Sequence, residues 1–396
     1  MNHALLMPPP DSHGVATDGF GARIEQILPQ IAAGAAQGDE RSSLHPDSIA
    51  ALTQAGVFRA LVPAMYGGDE VDFIEFLAGV RRLAAVCPAS GWIAGVVGTH
   101  SHGISYYGKQ AQDDIWADGP DTRICSSFAP VVTAQTTEGG YLLTGAWDFS
   151  SGCDHAAWAQ LGFRVEGMPG VSYLGLIPRS DFNIVDNWDT VGMRATGSKR
   201  VEVRNVFVPQ HRCWGPGMFA PPAEPGLHDH WLFRMPFLAT AANFGAVLLG
   251  AADGALAAYR ESVQKRIRPH TGKLRMDNPL SFIRLAESHM EIRAASALIT
   301  AHWQGIVDHA KAGTRPAMDE VLRSRGDEAF AGRMIMNAVD RLLAAAGGSA
   351  TFKSRPLQRY WRDIHTAGNH MFFDLENRLV IVGRHLVGLE PDPDLL

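Results

Sequence analysis

Apolar residues recur at helical spacing near both ends of the chain and alternate in its middle. Ile24, Ile27, Leu28 and Ile31 step three and four apart, and similar stretches cover residues 46–55, 72–87 and 90–107, with Pro and Gly between them. Between 123 and 209 the runs shorten and become β-rich: "GGYLLTGAWDFSS", "WAQLGFRV", "VSYLGLIPR" and "KRVEVRNVFVP", separated by turn residues. That spacing predicts a small antiparallel barrel or sandwich. A Pro/Gly-rich linker spans 215–226, and long apolar-faced segments follow at 237–265, 279–312, 318–346 and 375–386. Gly347 and Gly348 stop the third of these, and the four together predict a four-helix bundle. The expected organisation is α+β: a loose stretch 1–18, a helical domain 19–122, an antiparallel β-barrel domain 123–232 and a helical bundle 233–396.

Length and charge narrow the possible roles. A chain of 396 residues, 46% hydrophobic, can fill two or three cores. Net charge is −6, from 35 Lys and Arg against 41 Asp and Glu, with no basic arm, which argues against nucleic acid or an anionic membrane as partner. No uninterrupted run of eighteen apolar residues marks a membrane span, and "MNHALLMPPPDSHG" lacks the pattern of a signal peptide. Cys87, Cys125, Cys153 and Cys213 form no close pair, so neither a disulfide framework nor a zinc site is expected, and a reducing cytoplasmic setting fits. No Gly-x-Gly-x-x-Gly follows a strand, so the chain is not expected to bind nicotinamide itself.

Three segments carry a family resemblance. "GAWDFSSGCDHAAW" (145–158), "WDTVGMRATGSKRVEVRNVFVP" (188–209) and the stretch from "AAAGGSA" through "YWRDIHTAGNHMFFDLENRLVIVGRHL" resemble, in order, the flavin-side strand, the Gly-Met-Arg…Thr-Gly-Ser…Val-Pro signature and the Gly-Gly and Arg-Asp segments of the acyl-CoA dehydrogenase superfamily. A dehydrogenase of that superfamily needs a carboxylate to remove the substrate's α-proton. In the common pattern it lies eight residues after the Asp of Arg-Asp; here that position is Met371, which cannot be a base. The alternative place, on the first bundle helix, is also empty, since 237–252 holds no Asp or Glu. What stands beside Met371 is His370. With "FSSGCDHA" and the His of "VVGTHSHG", it resembles the oxygenase components of two-component flavin monooxygenases, such as those of p-hydroxyphenylacetate hydroxylase and the steroid-degradation phenol hydroxylase.

The resemblance implies an aromatic hydroxylase that uses reduced flavin (FADH2 or FMNH2) and O2 through a flavin C4a-hydroperoxide. A separate NAD(P)H:flavin reductase would supply the flavin, and the expected assembly is a homotetramer. An acyl-CoA dehydrogenase-type flavin oxidoreductase is the alternative. By the same resemblance Ser151 holds flavin N5–H, where its blander role is to satisfy a strand or turn backbone. His100 and His370 are the active-site histidines that engage the phenol, as imidazole titrates near working pH; the alternatives are a core histidine and a loop cap. His102 would project about 200° away from His100 on a helix, and neither His100-Ser101-His102 nor His228-Asp229-His230 has a second ligand cluster, so no metal is expected. Phe149 or Trp147 flanks the flavin ring or simply fills core. Arg266, Arg268, Arg355 and Arg359 are candidates for cofactor phosphate, and Gly347-Gly348 for contact with the flavin of a neighbouring subunit.

Overall fold

The computed structural model describes residues 19–218, 220–265, 267, 272, 276 and 278–390. Five helices come first: α1 (Phe20–Arg41), α2 (Pro46–Gln54), α3 (Phe73–Val86), α4 (Pro88–Ile104) and α5 (Lys109–Ile115). The stripe Ile24, Ile27, Leu28 and Ile31 is the buried face of α1. Asp72 caps α3 by accepting from the Ile74 amide at 2.9 Å. All 17 residues of α4 are buried, the mark of a helix wrapped on every side. Its glycines let neighbours close in: a Cβ on Gly98 would sit 2.6 Å from the Phe76 ring.

Seven strands follow: β1 (Ile124–Thr137), β2 (Gly140–Ser150), β3 (Trp158–Val165), β4 (Met168–Pro178), β5 (Asn183–Val185), β6 (Lys199–Pro209) and β7 (Cys213–Trp214). Their order in the sheet is β5-β6-β2-β1-β3-β4-β7. The expected antiparallel barrel is corrected here to a mixed seven-stranded sheet. β1 and β2 form a hairpin, but the chain leaves β2 through the loop at 151–157 and lays β3 on the other side of β1, running parallel to it. The two end strands have three residues and two, which leaves little edge open to pairing. Trp147, Phe163, Val201 and Val203 lie within this sheet's own core.

The C-terminal region holds α6 (Asn243–Lys265), α7 (Pro279–Ala312), α8 (Met318–Ala346), α9 (Pro356–Ala367) and α10 (Leu375–Leu386). Among the described residues, helices α6, α7, α8 and α10 stand at the four expected segments, and a further short helix, α9, joins them. Its Leu357, Tyr360, Ile364 and Ala367, spaced three and four apart, are buried. The segment Phe237–Lys265 is apolar enough to cross a bilayer by composition, yet 72% of its most apolar window is buried inside the protein. One hydrophobic cluster runs from Phe20 in α1 through α3, α4 and α6 to Phe373, so both helical regions share a core. α4 lies where that core meets β1.

Candidate active site

A buried hydroxyl chain begins where β2 ends. The register of β2 against β6 shifts between Trp147 and Ser150, Phe149 takes φ 65°, and Ser151 turns inward. Ser151 Oγ accepts the indole N–H of Trp92 at 3.0 Å and lies 2.8 Å from Ser198 Oγ. Ser198 is 2.7 Å from Thr196 Oγ1, which donates to the Met193 carbonyl at 2.8 Å. Trp92 joins this chain to His370: the two rings stand edge to face at 5.7 Å, and Phe244 packs on both, at 4.8 and 4.3 Å. Ser151 and His370 thus flank one indole.

His100 lies two helical turns beyond Trp92 on α4, about 12 Å along the axis. Its Nδ1–H donates to the Ile124 carbonyl at 2.7 Å, because a carbonyl can only accept. The neutral ring therefore has a bare Nε2, which accepts the Ser126 hydroxyl at 2.7 Å. Phe128 stands edge to face with His100 at 5.5 Å and leads to Phe237 at 5.3 Å. His370 is the opposite tautomer: its Nδ1 accepts the Phe372 amide at 3.4 Å, which leaves Nε2–H as a donor. Burial pushes both imidazoles down to about 4, so both are neutral at pH 7. His100 thus holds its Nε2 against Ser126 with Phe128 and Phe237 alongside, and His370 presents an Nε2–H donor beside Phe244.

The remaining candidates have varied surroundings. Trp147 is core, its indole donating to Gly162 O at 2.8 Å. Phe149 is 71% exposed, with Trp188 edge-on at 6.0 Å. Gly347 and Gly348 line a cavity of about 500 Å³ with Asp340 and Trp361; Arg355 lines another of about 280 Å³ with Ser262 and Lys265. The length of α9, about 18 Å, separates Arg355 from His370. Arg359 is half-buried, its Nε lacks a partner, and its charge acts on Cys87 and Asp363. Arg266 and Arg268 lie outside the described residues. His102 faces away from the site and donates to Leu232 O at 2.9 Å. Sequence reasoning passed over Ser126 and Trp92. Ser126 had one signal, its place between Ile124 and Phe128 on alternate positions of a strand; Thr196 and Ser198 lay inside a quoted signature without a role.

Among the described residues, no carboxyl bonds to the Ser151–Trp92–His370 cluster. Met371 is 67% exposed in the 3₁₀ turn Met371–Phe373. Of the two buried carboxyls nearby, Asp363 accepts the Met193 amide, and Glu328 lies behind α6 against Gly245 and His302. The acyl-CoA dehydrogenase N-terminal domain matches residues 25–119 and the C-terminal domain of the same enzymes matches 242–375. Over 394 residues the chain is 36% identical to p-hydroxyphenylacetate 3-hydroxylase, oxygenase component, of Acinetobacter baumannii, covering 98% of this chain and 92% of that one. The chain belongs to the acyl-CoA dehydrogenase family. Within it, the flavin-dependent monooxygenase oxygenase subunit HsaA of Rhodococcus jostii is 35% identical over 93% of this chain and 98% of its own. Solved family members superpose closely: the HsaA monooxygenase from M. tuberculosis has a TM-score of 0.89 at 34% identity, over 95% of this chain and 99% of that one. XiaF from Streptomyces, solved with FADH2 and glycerol, scores 0.88 at 31% identity, over 94% and 96%.

Proposed function

We propose that the chain is the oxygenase component of a two-component flavin monooxygenase that hydroxylates a phenol- or indole-like aromatic. The observation that carries this reading is the pair of neutral histidines in opposite tautomers, set among aromatic side chains with a buried serine beside one of them. A reduced flavin fits the donor set: Ser151 can accept an N–H, and Trp92 fixes the oxygen from behind. When bound, reduced flavin supplies the electrons that activate O2.

The chain's own groups then have separate tasks. His100 Nε2 accepts from the substrate hydroxyl, either in place of the Ser126 hydroxyl that fills its single lone pair or through that hydroxyl, and so feeds electron density into the ring. His370 Nε2–H donates to oxygen that becomes negative as the reaction proceeds. The aromatic walls exclude water, which guards the activated oxygen against wasteful loss as peroxide. Arg355, Arg359 and the cavities beside the first half of α9 would take the phosphate end of the flavin. A separate NAD(P)H:flavin reductase, a cytoplasmic setting and a homotetramer complete the reading. The dehydrogenase alternative lacks support, since Met371 stands where its base would be and no carboxyl among the described residues bonds to Ser151, Trp92 or His370.

The test supplies the purified chain with any NADH-driven flavin reductase, flavin and a panel of phenols and indoles under ¹⁸O₂. A product heavier by one labelled oxygen is expected from at least one of them. Reductase-driven NADH consumption that yields only hydrogen peroxide across the panel would sink the reading.

A further inference from the structure

We propose that Ser198 and Thr196 are positioning residues that make the Ser151 hydroxyl an obligatory hydrogen-bond acceptor, so that the site selects reduced over oxidised flavin. This rests on the reading that Ser151 meets the flavin ring nitrogen.

A hydroxyl has one proton and two lone pairs, so the direction of each bond in a closed chain can be worked out from a fixed end. The fixed end is the Met193 carbonyl, which can only accept. Thr196 Oγ1 gives it the one hydroxyl proton it has, at 2.8 Å. The 2.7 Å contact between Thr196 and Ser198 must then have Ser198 as donor. That commits the Ser198 proton, so in the 2.8 Å contact between Ser151 and Ser198 the donor is Ser151. The Trp92 indole, which can only donate, occupies one Ser151 lone pair at 3.0 Å. Ser151 is left with no proton to give and one lone pair to offer.

Nothing nearby loosens this order. Ser151 is 7% exposed, Ser198 5%, Thr196 2% and Met193 3%, so water has little chance to take over a bond. Met193 is held at φ 52°. Its amide donates to Asp363 of α9 at 2.6 Å, and its carbonyl also receives the Trp188 indole at 3.1 Å. The end of the chain is thus tied to the helical region from which His370 follows. Reduced flavin carries a proton on the ring nitrogen that would meet Ser151; oxidised flavin carries a lone pair there. The first completes the Ser151 set of bonds, and the second faces a lone pair with a lone pair. An enzyme fed by diffusing flavin gains from this twice, in capturing the reduced form and in releasing the oxidised one.

The experiment measures equilibrium dissociation constants of the full chain for oxidised FAD and, without oxygen, for reduced FAD. Wild type should favour the reduced form by about tenfold or more, the weight of one buried hydrogen bond. Ser198→Ala frees the Ser151 proton to point at the flavin, so oxidised FAD should bind more tightly and the preference should fall by about tenfold. A tighter complex is not what a loosened fold produces. Ser198→Thr keeps the acceptor and should keep the preference. Ser151→Ala should weaken reduced FAD itself. If Ser198→Ala leaves the preference unchanged while Ser151→Ala weakens reduced FAD, the relay is wrong and the Ser151 contact stands. If Ser151→Ala also changes nothing, the Ser151 reading fails and takes the relay with it.

Discussion

His100 is a buried imidazole and His370 a half-buried one, and desolvation pushes both to about 4. Their rings are nevertheless held in different ways. His100 lies between a helix and a strand, with one nitrogen on the Ile124 carbonyl and the other under the Ser126 hydroxyl. Its tautomer and its orientation are set before any substrate arrives. His370 caps a short turn through one long contact to its own neighbour's amide, and stacking does the rest: Phe244 at 4.3 Å, Phe372 at 5.4 Å, Trp92 at 5.7 Å. Stacking fixes the plane of a ring more than its rotation, so the free Nε2–H can adjust to what it meets. The acceptor end is preorganised, as a group that takes up developing charge should be. The donor end adapts.

The largest expected effect tests the preorganised end. His100→Ala should lower the rate of hydroxylation by about 10²- to 10⁴-fold, the usual weight of a positioned base, with uncoupled peroxide release rising in step. His370→Ala should cost about 10²-fold, as loss of one donor does. His370→Gln restores an N–H on an adaptable side chain and should recover most of that loss; His100→Gln, in a site cut to one ring shape, should not. Both are measured as product formed per NADH consumed. Equal rescue at the two positions would erase the distinction between them.

Titration sharpens the comparison on the acid side. An imidazole near 6.5 when unfolded and about 4 when folded binds its proton more tightly in the unfolded chain. Its share of stability is complete above pH 6.5 and drains away as pH falls toward 4. His100→Gln should therefore shrink the stability lost between about pH 7 and pH 4.5 by on the order of 2 kcal/mol. His370 is half-buried, so its replacement should shrink that loss less. His102 and His302, also pushed to about 4, supply the acid sensitivity common to every variant. Denaturant unfolding at the two pH values reads the difference, and an unchanged acid loss in His100→Gln would mean that its ring is hydrated in solution.

Much of the helical scaffold could be read from periodicity, because long amphipathic runs such as α1 and α8 announce their faces. α9 escaped because its buried apolar residues are interleaved with Gln358, Arg359, Arg362, Asp363 and His365, two of them buried as well, and this polar density hides the three-and-four spacing. The parallel pairing of β1 and β3 has no local signal at all; it depends on which side of β1 the chain returns to after residue 157. The same limit applies to the site. Motifs single out His100, Ser151 and His370 as candidates, and counting from Asp363 to Met371 marks the position without a base. Ser126 was not legible, since a serine on a strand gains meaning only once α4 brings His100 above it. The hydroxyl chain through Ser198 and Thr196 needs the β6 end, the β2 end and α4 in one place, which no stretch of sequence contains.

Ser126→Ala gives the smallest effect and the finest test. In the structure Ser126 fills the one lone pair through which His100 could act, so the hydroxyl either yields its place to the substrate or passes the substrate's proton along. If it yields, its loss removes a competitor as well as a support. The rate with bound substrate should then fall by no more than about tenfold, the value of a single hydrogen bond. Half-saturation should move by less than that. If it relays, His100 is out of reach of the substrate without it, and Ser126→Ala should match His100→Ala. The double variant decides between them: losses that multiply indicate separate contacts with the substrate, and a double variant no worse than His100→Ala places the serine on the histidine's own path. The short contacts on both imidazole nitrogens favour the first outcome, because a ring already fixed by Ile124 does not need Ser126 to hold it in place.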